Sequence, residues 1–450
     1  MVAANDLPPI EEPAGYDALV ELSDRLQWSA PELAVQFARR AIARGPAAGA
    51  PELVRAHGLA ATTLVRLGRC ADAVEPALAA LHGAEPAGLT EVAALARLDL
   101  AECARELGEP LLGCTILGPV LDTPGARPAT RAGAIWQLAG CTVHVGRRDD
   151  LEDLLAEADR LLAADDRLSP DARLLERGLL AARTAAYHRR HGETEDAIES
   201  AREGLGLLVR LRDGQIEGGR VWARLILELV LALLDDDQPG EAEHQAGPLF
   251  ARPVRAAGAP AVGRTLLAVA TRVMVPAGRV DAARGLLDYV LSLAERHTLD
   301  WLLADALSLR ADLDERAARP AEALHGLRGA HAAEQRHRRS VEVARRRLVL
   351  EFGLTEPGPD AVTLLLRGVV RRAVAAPVTQ PVAPPPAQAL LAGPEPFPAP
   401  AAPVREHVPA PPEPVVDEAD LPVALTVVRL DLAGGSKPAG NGAVPAADVP

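Results

Sequence analysis

The chain has 450 residues, a formal net charge of −14 and a pI near 5.3. An acid excess of this size excludes a general affinity for nucleic acid or anionic membranes. Aromatic residues make up only 2% of the chain, too few to fill one large central core in the usual way. Alanine, leucine, arginine and glutamate lose little side-chain entropy in a helix, so the mixture favours thin helix pairs stacked in a row.

The first segment, MVAANDLPPIEEP (1–13), is acidic and proline-containing and reads as a flexible N-terminus, not a signal peptide. From residue 14 onward one pattern recurs: an apolar helix, a tight turn, then a second amphipathic helix that begins with acidic or small residues. QWSAPELAVQFARRA (27–41) opens the series. It continues through LGRCADAV (67–74), LGEPLLGC (107–114), VGRRDDLEDLL (145–155) and HGETEDAIESA (191–201). DDDQPGEAEHQA (235–246), AGRVDAARGLL (277–287) and AARPAEALHGL (317–327) complete it. The turn positions Trp28, Gly68, Gly108, Gly146, Gly192, Gln238, Gly278 and Arg319 step by 40, 40, 38, 46, 46, 40 and 41 residues. A sustained period near 40 is the mark of a helical repeat array.

The turn chemistry is self-consistent. Glycine takes the left-handed conformation that ends the first helix. Asp149, Asp150, Glu193, Glu195 and Asp281 then fall near the positive start of the second. The second helices carry apolar stripes, such as Leu151, Leu154, Leu155, Ala158, Leu161 and Leu162. One hairpin cannot cover such a stripe, so neighbours must stack. The expectation is an all-α, right-handed superhelical solenoid of about eight helical hairpins spanning 14–352.

Leu67-Gly68-Arg69 followed by Ala71, Ala73 and Val74 resembles the turn of tetratricopeptide repeats. So do Gly192-Glu193 with Asp196-Ala197-Ile198, and Gly278-Arg279 with Asp281-Ala282-Ala283. The resemblance covers roughly 14–352. It departs from the family in its period of about 40 rather than 34 and in the placement of Trp136, Trp222 and Trp301. The chain is similar to the longer-looped solenoids of bacterial, notably actinobacterial, signalling and transcriptional regulators. What the resemblance implies is protein binding; the unpaired cysteine spacing, the N-terminus unlike a signal peptide and the lack of a membrane-spanning run fit a reducing cytoplasm.

From His331 the sequence becomes HAAEQRHRRSVEVARRRLVLEFG, with six arginines in 336–347 and a narrow seam of Ala333, Val341, Ala344, Leu348 and Phe352. A long last helix capping the array is the first expectation. The alternative is a coupling helix, similar to the basic helix that joins tetratricopeptide sensor regions to diguanylate cyclase domains. Residues 353–376 hold a break and a possible short amphipathic helix (361–376) with Leu364, Leu365, Val369 and Val370 on one face. Residues 377–422 contain 15 prolines, which reads as an extended, disordered linker, and the Pro/Ala-rich tail runs on to 450. LPVALTVVRLDL (421–432) reads as a lone strand with a faint likeness to the first strand of a diguanylate cyclase. Arg429 replaces the first metal-binding position of that family's pattern and only Asp431 remains.

Candidate chemistry is sparse, and no catalytic, cofactor or metal site is expected. AGGSKPAGNG (433–442) lacks the order of a phosphate loop. His188 with His191, and His331 with His337, lack a zinc-type partner set. Cys70, Cys103, Cys114 and Cys141 sit in apolar stretches without CxxC spacing and read as buried thiols. The apolar run 221–234 is interrupted by Arg224 and Glu228, so it reads as a buried helix and not a membrane span.

Lys437 is the only lysine and Asn5 the only asparagine ahead of the tail, so a Lys/Asn carboxylate clamp is excluded. Candidate partner contacts are therefore arginines. Arg55, Arg97, Arg131, Arg177, Arg183 and Arg224 lie on first helices, which line a solenoid's groove, and Arg338 and Arg345 lie on the last helix. The reading these features favour is a non-catalytic scaffold or regulatory adaptor that holds an acidic peptide or helix of a partner protein. Two others stand beside it: the sensor half of a signalling enzyme with a lost output domain, and nucleic-acid binding through Arg336–Arg347, which the global charge opposes.

Overall fold

The computed structural model describes residues 15–45, 51–123, 126–143, 148–212, 219–249, 253–353 and 368. The chain divides into units 1–382 and 383–450, and the described residues all belong to the first. The expected turn at Gly146, the helix 361–376, the proline-rich linker, the strand 421–432 and the glycine-rich 433–442 lie outside the described residues.

Among the described residues there are sixteen α-helices and no strand. They pair as eight hairpins: α1 (Tyr16–Leu26) with α2 (Pro31–Arg44), α3 (Pro51–Arg66) with α4 (Cys70–Ala84), and α5 (Thr90–Glu106) with α6 (Pro110–Asp122). Next come α7 (Pro128–Thr142) with α8 (Arg148–Ala164), α9 (Pro170–Arg190) with α10 (Thr194–Val209), and α11 (Arg220–Asp235) with α12 (Pro239–Ala246). The last are α13 (Ala259–Val269) with α14 (Val280–His297), and α15 (Asp300–Arg316) with α16 (Pro320–Phe352). α13 continues into a π-helical turn, Ala270–Met274. Each helix packs on the next along the chain, the pattern of a solenoid.

The hairpin turns share one mechanism. Gly68, Gly108, Gly192 and Gly278 have positive φ between 71° and 88°. The amide of the following residue reaches back to a carbonyl five residues earlier: Arg69 to Leu64 at 2.9 Å, Glu109 to Ala104 at 2.7 Å, Glu193 to His188 at 3.0 Å and Arg279 to Met274 at 2.9 Å. This bond satisfies a carbonyl left over at the helix end. Two of the three copies without glycine make the same bond, Gln238 to Leu233 and Arg319 to Asp314. Their left-handed residues are Asp237 (φ 54°) and Ala318 (φ 53°), one residue before the positions that the spacing selected. The spacing keyed on the following residue because neither Asp nor Ala announces a positive φ. Proline at the first position of α2, α6, α12 and α16 supplies a preset φ and gives up an amide that has no helical partner.

The array closes on itself. The 33 residues of α16 span about 50 Å at 1.5 Å per residue. α16 packs against α15 and also against α4 and α6 of the second and third hairpins. Ala344 and Leu348 enter the core formed by residues of α3 to α8, with Val341 and Phe352 against its edge. Around this apolar seam Arg345 Nε donates to Glu109 Oε1 at 3.0 Å, Arg347 pairs with Glu75 at 2.9 Å and His82 Nε2 lies 2.6 Å from Glu351. The other end turns inward as well. Trp28, in the first turn, packs on the Leu175, Leu179 and Leu225 cluster, and Arg255 donates to the Ser29 carbonyl at 3.0 Å. No helix among the described residues is long and apolar enough to cross a membrane.

Candidate functional site, a central arginine-lined cavity

The inner face of the array bounds a half-open cavity of about 480 Å³. Its walls come from α3, α5, α9, α11, α13 and α16 and from the turns at Gly68–Asp72 and Thr298–Trp301. Six arginines line it (Arg66, Arg69, Arg183, Arg220, Arg224 and Arg264) against four carboxylates (Asp72, Glu102, Glu106 and Asp300). In a chain with a net charge of −14 this local excess of cation is the opposite of the average.

Glu102 organises the deep wall. It is 8% exposed, and it accepts from Arg183 Nη2 at 2.8 Å, from Arg220 Nη2 at 3.4 Å and from Gln137 Nε2 at 2.8 Å. Three different hairpins thereby converge on one carboxylate. Burial raises its pKa, but Arg183, Arg220 and Arg105 outweigh that and hold it below its ordinary value. Glu106 behaves alike: burial opposes ionisation, yet Arg105, Arg183, Arg224 and Arg264 bring its pKa down to about 2. Arg105 meets Glu106 at 2.8 Å and Arg224 meets Glu228 at 3.0 Å. At the rim Arg69 Nε donates to Asp72 at 2.7 Å, and Asp300 is taken by Arg336 at 2.6 Å.

Arg66 and Arg264 are different. Among the described residues neither has a carboxylate within 4.0 Å. Each lies on an indole face, Arg66 at 3.7 Å from the Trp28 centroid and Arg264 at 4.5 Å from that of Trp301. Arg66 Nη1 is buried with no hydrogen-bond partner. Burial lowers the Arg66 pKa to about 10, and it lowers that of Arg264 also. Arg183 stacks on Trp136 at 4.9 Å and burial lowers its pKa to about 9. Stacking compensates only part of a guanidinium's desolvation, by about 0.5–2 kcal/mol.

Of the arginines singled out from the sequence, Arg183 and Arg224 line this cavity. The other six stand elsewhere. Arg55 is exposed on α3. Arg97 pairs with Glu85 at 2.6 Å beside a separate hollow of about 200 Å³. Arg131 lies near Glu157, with its pKa lowered by burial, and Arg177 forks onto Asp159 at 2.7 and 2.9 Å. Arg338 pairs with Glu334 along α16, and Arg345 serves the closure. Sequence reasoning missed Arg66, Arg220 and Arg264. The signal that could have found two of them is a charge inside an apolar run, as in Leu64-Val65-Arg66-Leu67 and Val262-Gly263-Arg264-Thr265-Leu266.

All four cysteines are free and buried, as expected. The neighbouring thiols Cys70 and Cys141, together with burial, push the Cys103 and Cys114 thiols up. His188 Nδ1 lies 2.7 Å from Glu193. With Asp196 they form a group whose ligand atoms come within 4.8 Å of one another, while His191 instead packs on the Tyr187 ring at 4.5 Å. No protein-family model matches the chain, and no curated protein is detectably similar to it.

Proposed function

We propose that the chain is a non-catalytic regulatory adaptor, a tetratricopeptide-like solenoid that takes an extended acidic segment of a partner protein into its central cavity. The observation that carries this reading is a pair of cavity-lining guanidiniums, the half-buried Arg66 and the exposed Arg264, each stacked on an indole and, among the described residues, with no carboxylate within 4.0 Å. A guanidinium with no ion-pair partner keeps its forked N–H donors for an incoming carboxylate. The apolar remainder of the wall, including Leu107, Leu179, Pro260, Leu299 and Val341, suits the stem of a peptide.

Size decides between an extended segment and a helix. A helix 10–12 Å wide fills roughly 420–610 Å³ per 5.4 Å turn. The cavity of about 480 Å³ would hold about one turn, too short to be helical on its own. An extended partner is therefore favoured over a helical one. The basic stretch of α16 lends little to a nucleic-acid reading. Arg336, Arg338, Arg345, Arg346 and Arg347 all meet carboxylates.

The test is calorimetric titration of the full chain with short acetylated peptides rich in glutamate, against the same peptides carrying glutamine. Saturable one-to-one binding of the acidic series, weakened by salt, is expected. Equal heats from both series, or none from either, would overturn the reading.

A further inference from the structure

The cavity's two unneutralised cations belong to opposite halves of the array. Arg66 closes α3, whose Leu64 and Val65 lie in the core of the second to fourth hairpins. Arg264 is on α13, whose Val262 and Leu266 lie in the core of the later hairpins. Their surroundings differ accordingly. Different charges act on them: Glu176, Arg220, Asp99 and Asp24 on Arg66, and Glu106, Arg224, Glu228 and Asp305 on Arg264. The cavity therefore has two cationic poles. The same cavity wall includes the apolar Val65, Leu107, Leu179, Pro260 and Ala261.

Each indole fixes the plane of its guanidinium from one face, so the N–H edge stays free to fork onto a carboxylate. A single carboxylate satisfies one pole and leaves the other without an ion-pair partner.

We propose that the ligand is recognised at two points, as an extended segment bearing two carboxylates on an apolar spacer, one received by Arg66 and the other by Arg264. Bound in this way, the segment bridges the two halves of the closed array. This rests on the reading that the cavity takes an acidic segment, and it adds how many acidic groups are read and by which residues.

The test uses the full chain and acetylated, amidated peptides with two glutamates separated by one, two or three alanines. Each is compared with its two single-glutamine versions and with the double-glutamine version. The expected result is that one spacer length binds at least tenfold more tightly than either of its single-glutamate versions. In Arg66→Met and in Arg264→Met that advantage disappears, while single-glutamate binding persists through the remaining pole. If single- and double-glutamate peptides bind equally to the wild-type chain, two-point recognition is wrong and the adaptor reading survives. If no glutamate peptide binds at all, both fall. The wild-type arm decides the matter even where a variant does not fold.

Discussion

Between Arg336 and Arg347 the last helix carries six arginines, and five of them meet carboxylates near the surface. Arg66 and Arg264 are 198 positions apart in the chain, share one cavity, and meet no carboxylate among the described residues. Charge that is dense in sequence is thus dispersed into ion pairs, while charge that is sparse in sequence is concentrated by closure of the array. A paired exposed guanidinium contributes about 0–1 kcal/mol. A buried one whose partner is removed costs several times more. The two sets should therefore respond very differently to substitution.

The largest effect is expected at Glu102, which answers Arg183 and Arg220 and lies near Arg105. Glu102→Gln leaves these guanidiniums without their shared anion and should lower the unfolding free energy by about 3–5 kcal/mol. Urea denaturation measures this. A loss below 1 kcal/mol would mean that the cavity arginines do not depend on Glu102.

Next in size is the closure. Leu348 is fully buried where α16 meets the early hairpins. Leu348→Ala should cost about 2–4 kcal/mol and should speed proteolytic cleavage in the second half of α16. Undiminished stability would contradict a closed array.

The pH response has a definite sign. Burial raises the pKa of Asp99 to about 7 from an ordinary 3.8, against the hydrogen bond from Thr62. Between those values the folded chain retains a proton that the unfolded chain has released. This contribution is fully present below pH 3.8 and fades as pH rises through about 7. Asp99→Asn should flatten the fall in stability over that window, and denaturation curves at successive pH values would show it. Ala318, forced into the left-handed region at φ 53°, offers a gain: Ala318→Gly should stabilise by about 1 kcal/mol, readable as a rise in Tm. Arg346→Ala, which removes an exposed pair within α16, should change stability by less than about 0.5 kcal/mol.

Much of the fold was legible because repeat turns are local. Gly68, Gly108, Gly192 and Gly278 name their own backbone conformation, and a period near 40 follows from them. Asp237 and Ala318 were displaced by one residue because the helix-ending turn takes a positive φ there that neither side chain announces. The seam of α16 was legible as a stripe, since Ala333, Ala344 and Leu348 recur at helical spacing. Its destination on α4 and α6 was not, because nothing local encodes a contact across more than 200 residues. The cavity was half legible for the same reason. Arg183 and Arg224 follow from the rule that first helices face inward. Arg66, Arg264 and their indole partners meet only once the array has closed, and the pairing of each charge is a property of that closure.

The measurement that tests the central claim most directly is the Tm of the double variant Arg66→Met/Arg264→Met, with and without the best-binding acidic peptide. If these cations are held for a ligand, their removal should leave the free protein as stable as the wild type or more so. The upward shift in Tm that the peptide gives the wild type should vanish. A double variant that melts several degrees lower, and that still gains the full peptide-induced shift, would show that Arg66 and Arg264 serve the fold and not a ligand.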